Sequence, residues 1–146
     1  MKNIGYFIED SRFGGPHAQI CYHLKSKTAS EHKNFLFINS NDSELFVKNL
    51  NKENINFSFI KISALSLKIT KIFKYLFFFI KDIRTLLKVI KNNELDVVVG
   101  SNGSSCIKTV IAGYFSKAKV FLHIHDTRSP TFLFFVVKII FSLCDS

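Results

Sequence analysis

Residues 3 to 28 read as a buried strand, a glycine turn and a helix, and this unit constrains the fold more than any other stretch. Asn3-Ile4-Gly5-Tyr6-Phe7-Ile8 is a short apolar run, the pattern of a central strand covered on both faces of a parallel sheet. Phe13-Gly14-Gly15-Pro16-His17 follows, and a helical pattern begins at Ala18, with Ile20, Cys21 and Leu24 able to share an inner face. Two adjacent glycines permit positive φ and a close approach of backbone to ligand. Pro16 suits the first helical position, where a missing N–H costs nothing. The free N–H groups of such a helix start favour phosphate. On these residues alone a plain tight turn is the other reading.

The pattern then repeats. Residues 33–39 read as a strand, closed by Ser40-Asn41-Asp42, and 43–51 as a helix with Leu45, Phe46 and Leu50 turned inward. Residues 55–62 alternate in part and read as a third strand, and 67–92 as a long helix. Leu95-Asp96-Val97-Val98-Val99-Gly100 is a clear β-branched strand, followed by the polar turn 101–105 and a helix over 106–115. Residues 118–124 read as a strand, and 131–143 as an almost wholly apolar helix. The order βαβαβαβαβα predicts one α/β domain over residues 1–146, a Rossmann-like parallel sheet with helices on both faces. Ligands of such sheets bind at the carboxyl ends of the strands. Gly14-Gly15, Ser101-Asn102-Gly103 and His125-Asp126 all fall at such ends, so three loops are expected to face one crevice.

Charge is distributed unevenly. Of a formal net charge of +9, residues 61–146 hold 13 basic against 5 acidic residues, and the excess is concentrated in 61–91, where Asp82 is the single acid. On a helical wheel Ile69, Ile72, Leu76, Ile83, Leu87 and Ile90 form one apolar face, with Lys71, Lys74, Lys81, Arg84, Lys88 and Lys91 opposite. Phe77 and Phe78 project among the lysines. A basic face with exposed aromatics suits an anionic membrane surface; a solvated face with two Phe packed under a loop is the bland alternative.

Hydrophobic residues make up 47% of the chain, with 17 Phe, enough for a sizeable core. Cys21, Cys106 and Cys144 are scattered and form no CxxC or Cys/His cluster, which excludes a zinc framework and fits a reduced, cytoplasmic setting. The charged residues Glu9, Asp10 and Arg12 come too soon for a signal peptide. No run reaches the about 18 apolar residues of a transmembrane helix; Phe132 to Leu143 is broken by Lys138. Neither G-x-G-x-x-G nor the P-loop pattern occurs, so a nicotinamide fingerprint and a P-loop kinase are unsupported. His125 beside Asp126 could serve as a general base or bind a sugar hydroxyl, or be a surface pair in a turn. His123, one strand period away, would orient it. Ser104 and Ser105 lack a nucleophile elbow and read as helix caps.

The chain resembles the N-terminal domain of GT-B glycosyltransferases, in particular the retaining group known as family 4. The resemblance rests on Ile4 to Ile8 with Phe13-Gly14-Gly15-Pro16-His17-Ala18, on Glu94 to Asn102, and on Lys119 to Asp126. The order and spacing of these short motifs over nearly the whole chain are more specific than any one of them.

The resemblance implies a hexosyltransferase moving a sugar from a nucleotide-sugar to a polysaccharide or lipid-linked saccharide acceptor in cell-surface glycan synthesis. No metal or other cofactor is implied; the nucleotide-sugar is a substrate. It implies Gly14 and Gly15 against the donor diphosphate and His125 at the reacting centre. The acceptor cleft would involve His17, Ser101, Asn102 and Asp126. The face carrying Lys71, Lys74, Phe77, Phe78, Lys81, Arg84 and Lys88 would meet the membrane, placing the protein on the inner face of the plasma membrane. The family has a second, nucleotide-binding domain with a pair of glutamates. That half lies outside these 146 residues, so the expectation is an incomplete domain, inactive alone: a fragment, a truncated gene product, or one half of a split enzyme whose C-terminal half is on a separate chain. A flavodoxin-like module or truncated remnant, without catalysis, docking on anionic membrane through 67–92 is the alternative. Nucleic-acid binding has no fold signature to support it.

Overall fold

A computed structural model describes residues 1–9, 14–26, 31–40, 44–64, 69–101, 106–123 and 142. The elements are β1 (Asn3–Ile8), α1 (Gly15–Leu24), β2 (Lys33–Asn39), α2 (Glu44–Lys52), β3 (Ser58–Ile60), α3 (Ile69–Asn92), β4 (Val97–Ser101), α4 (Ile107–Ser116) and β5 (Lys119–His123). All strand pairings are parallel, in the order β3-β2-β1-β4-β5. The expected Rossmann-like α/β sheet is therefore present. The helix expected over 131–143 lies outside the described residues.

The period-2 alternation of the central strands assigns the layers. Tyr6 and Ile8 of β1 and Leu36 and Ile38 of β2 point to one face, where Ile20, Cys21, Phe46 and Leu50 of α1 and α2 cover them. Phe7 and Phe37 point to the other, stacked at 4.8 Å, and pack with Ile60, Val98, Leu86 and Ile90 of α3 and Ala112 of α4. Both faces of β1 are thus buried, as its apolar run requires. Gly113 lets α4 approach closely: a Cβ there would lie 2.6 Å from Val120 Cγ2 and 3.5 Å from Val98.

Asn3 ties the entry of β1 to that of β4. Its amide donates to Asp96 Oδ2 at 2.8 Å and its side chain to the Glu94 carbonyl at 2.9 Å. From β1 the chain builds outward through β2 and β3, then crosses back along α3 to β4 on the other side of β1. The direction of winding reverses between β1 and β4, the topological switch point at which open α/β sheets leave a crevice.

The long helix differs from the wheel expectation. Ile72 and Leu76 were expected inward but are exposed, Leu76 at 62%. The inner line is Tyr75, Asp82, Leu86 and Ile90, with Ile83 and Leu87 partly buried. Aliphatic residues alone set the expected face; the structure turns it toward Tyr75 and Asp82 because Lys108 of α4 sits there. The third strand is also shorter than expected, 58–60 in place of 55–62, since only Phe37, Ile38 and Asn39 of β2 pair with it.

Candidate functional site

The switch-point crevice is bounded by the carboxyl end of β1, the start of α1, the end of β4 and the start of α4. Ile8 and Ser101 are register partners at its floor. Gly14 is the N-cap of α1 in an extended conformation (φ −166°, ψ −170°) and, as a glycine, has no side chain to cap the helix. Its carbonyl accepts from the His17 amide at 3.1 Å. Neither glycine is used for the positive φ that the sequence reading allowed: Gly14 is extended and Gly15 opens the helix, one residue before Pro16. What glycine provides here is room. Gly15 is exposed, and a Cβ on it would meet no described residue within 4 Å. Pro16 has no N–H and the His17 and Ala18 amides turn back to the Gly14 carbonyl, so what this helix start offers an anion is the helix dipole and the backbone at Gly14 and Gly15.

The opposite helix start is already occupied. Cys106, the N-cap of α4, makes no side-chain cap bond. Glu9, the residue after β1, supplies the acceptor from across the crevice floor: the Thr109 amide and hydroxyl donate to Glu9 Oε1 at 3.0 and 2.7 Å. Of the two helices that open on the switch point, α1 is the one left for a ligand.

Sequence-chosen residues are distributed as follows. Gly14 and Gly15 stand at the crevice. His17 is turned away from it, buried with its ring 4.6 Å from and nearly perpendicular to that of Phe46. Ser101 is buried at the end of β4, its carbonyl accepting from the Cys106 thiol. His123 ends β5, exposed, beside Ser101 in register. Asn102, His125 and Asp126 lie outside the described residues, so the three-loop convergence is described only at Gly14, Gly15 and Ser101. On α3, Lys74, Lys81, Arg84 and Lys88 are exposed and Phe77 is 81% exposed. Phe78 is half-buried, with Lys81 Nζ 5.6 Å from its ring centre. Lys71 belongs to the helix, its side chain outside the described set. Among the described residues no group of His, Cys, Asp or Glu could hold a metal ion, and no helix is long and apolar enough to cross a membrane.

Sequence reasoning missed a buried polar cluster under the crevice. Lys108 is fully buried, with Nζ 2.9 Å from Asp82 Oδ2 and 3.8 Å from Glu9 Oε2. It also donates to the Ser63 carbonyl, and Ser63 donates its amide at 2.9 Å, and its hydroxyl, to Asp82. Asn39 at the end of β2 donates to the carbonyls of Glu9 at 3.3 Å and Ile62 at 3.0 Å. The signals were a lone lysine in the apolar helix 106–115 and a lone acid in the basic stretch 61–91.

No protein-family model matches the sequence, and no curated protein matches it. Solved structures share its fold. MurG of Acinetobacter baumannii superimposes with a TM-score of 0.70 at 14% identity, over 99% of this chain and 40% of that one. A glycosyltransferase from Rickettsia africae gives 0.62 at 17% identity, over 90% of this chain and 32% of that one. The UDP-GlcNAc 2-epimerase of Neisseria meningitidis, bound to UDP-GlcNAc, gives 0.65 at 14% identity, over 99% and 39%. The chain thus spans 40% or less of the length of these three structures. What it shares with them is the Rossmann-like α/β fold of GT-B proteins, on which both sugar transfer and sugar epimerisation are run.

Proposed function

We propose that the chain is the acceptor-side part of a glycosyltransferase, transferring a sugar from a nucleotide-sugar to a saccharide or lipid-linked saccharide of a cell-surface glycan. The observation that carries this reading is the start of α1 at the switch point, with Gly14 extended and no described residue within 4 Å of a Cβ on Gly15, while α4 already has Glu9 at its start. A diphosphate laid on α1 would gain the helix dipole and the close backbone approach that two glycines allow. The fold likeness to an epimerase bound to UDP-GlcNAc supports the same ligand class. His125 and Asp126, by the motif resemblance, would stand beside the reacting sugar, and Ser101 and Asn102 beside the acceptor.

The same reading seats α3 on an anionic membrane surface. Ile72, Phe73, Leu76, Phe77 and Ile80 are exposed on one half of the helix, with Lys74, Lys81 and Arg84 beside them. Apolar side chains to enter the interface and cations to meet lipid phosphates are what peripheral binding needs. That surface equally favours a second reading, a non-catalytic module that docks on membrane and takes no nucleotide-sugar.

The test is an amide-shift titration of the chain with UDP-glucose, UDP-GlcNAc and inorganic pyrophosphate, followed, with a nucleotide-binding half supplied, by transfer of labelled sugar to membrane extract. Shifts centred on Gly14, Gly15 and His17 are expected with each ligand. Silence of these amides toward all three, with vesicle binding intact, would favour the docking module. Interconversion of the UDP-sugar without transfer would replace transferase by epimerase.

A further inference from the structure

Glu9 sits fully buried at the switch point, and among the described residues the groups of its cluster come from three segments besides its own. From α4 come Thr109 and the Lys108 ammonium. From α3 come Asp82 and the Tyr75 ring, whose centre lies 4.3 Å from Lys108 Nζ. From the segment after β3 comes Ser63. Among the described residues the charge count does not balance: two carboxylates share one ammonium. Asp82 takes the better share, with Lys108 at 2.9 Å and both Ser63 donors. Glu9 Oε1 is filled by Thr109, but Oε2 is buried with no hydrogen-bond partner, and Lys108 at 3.8 Å is beyond that range. Tyr75 Oη is likewise buried without a partner. A charged oxygen sealed in with no donor is costly, and a proton on it removes the charge and makes it a donor.

We propose that Glu9 is carried as a neutral carboxylic acid, with its proton on Oε2, and that loss of this proton seals a second negative charge beside Asp82, so that the stability of the fold at the switch-point crevice falls as pH rises. The inference stands whether or not the crevice takes a nucleotide-sugar. Burial pushes the Glu9 carboxyl from 4.5 up to about 7, against the opposing pull of Lys108 and the Thr109 donors. Burial, with a further push from Glu9, also raises the Tyr75 phenol, so the tyrosine stays a neutral donor throughout. The sign follows from linkage: between about pH 4.5 and 7 the folded chain keeps a proton that the unfolded chain has released. This group's contribution therefore falls as pH rises through that window and is level above it.

The experiment is a carbon-13 titration of the Glu9 carboxyl in the full chain, paired with melting curves of wild type and Glu9→Gln. The expected midpoint is near 7, with the Thr109 amide moving at the same pH. The wild-type melting temperature should fall by roughly 3 °C per pH unit more than that of Glu9→Gln across the window. Gln keeps an acceptor for Thr109 and a donor in place of the acid proton, so its curve should lack this slope. A Glu9 midpoint near 4.5, or a Glu9→Gln curve parallel to wild type, overturns the proposal. Should Glu9→Gln fail to fold, the wild-type titration alone decides.

Discussion

Thr109 gives both of its donors, amide and hydroxyl, to the same oxygen of Glu9, at 3.0 and 2.7 Å. The pair joins residues 100 apart in sequence and spans the point where the sheet reverses direction. Thr109→Val keeps the amide bond and the shape but removes the hydroxyl. We expect a loss of about 1–2 kcal/mol, read from urea denaturation, because a buried acceptor loses one of two donors. An unchanged urea midpoint would mean that the hydroxyl bond contributes nothing.

Gly113 inverts the usual expectation for glycine in a helix. Alanine there ordinarily gains about 1 kcal/mol of helix propensity. Here the added Cβ would meet Val120 Cγ2 at 2.6 Å, so α4 must shift off the sheet. Gly113→Ala should therefore lower the melting temperature, with a net cost of about 1–2 kcal/mol once overpacking is set against propensity. A higher melting temperature would show that Val120 gives way freely.

Gly15→Val tests the crevice without touching the core. A Cβ there meets no described residue within 4 Å and the position is exposed, so circular dichroism should keep its wild-type shape. It would stand where a diphosphate approaches α1, and affinity for UDP-sugars should fall by at least about tenfold. Equal affinity in the variant would remove α1 from the binding site.

The α3 surface has its own test. Lys74→Glu with Lys81→Glu reverses two charges beside the exposed Phe77, each lysine contributing about 1 kcal/mol near an anionic surface. Sedimentation with phosphatidylserine vesicles should drop by more than about tenfold, and Phe77→Ser should weaken it further where salt has screened the charges. Vesicle binding indifferent to all three changes would leave that face as ordinary solvated surface.

The sheet was legible because its central strands are apolar on both faces, as Tyr6-Phe7-Ile8 and Leu36-Phe37-Ile38 show, and because the intervening helices keep a 3.6-residue rhythm. The Gly14-Gly15 loop was legible as a place, though not as a conformation: an extended glycine and a positive-φ glycine look alike in sequence. The polar cluster was invisible to hydropathy. Lys108, Asp82 and Glu9 score as surface residues, and only their mutual contacts make burial tolerable. His17 was misleading for the opposite reason. It follows a glycine turn as a ligand-binding histidine would, yet the helix it opens turns it onto Phe46.

The reversal of winding at β1 also has a temporal side. Asn3 and Asp96, which close the β1–β4 edge, are 93 residues apart. At translation rates of about 5–20 residues per second, β1 leaves the ribosome roughly 5–20 s before its second neighbour exists. Through that interval one long edge of this central strand is open to any other strand it meets. Slower growth temperature, or a chaperone held near the exit tunnel, should therefore raise the soluble yield of this chain without any change to its finished structure.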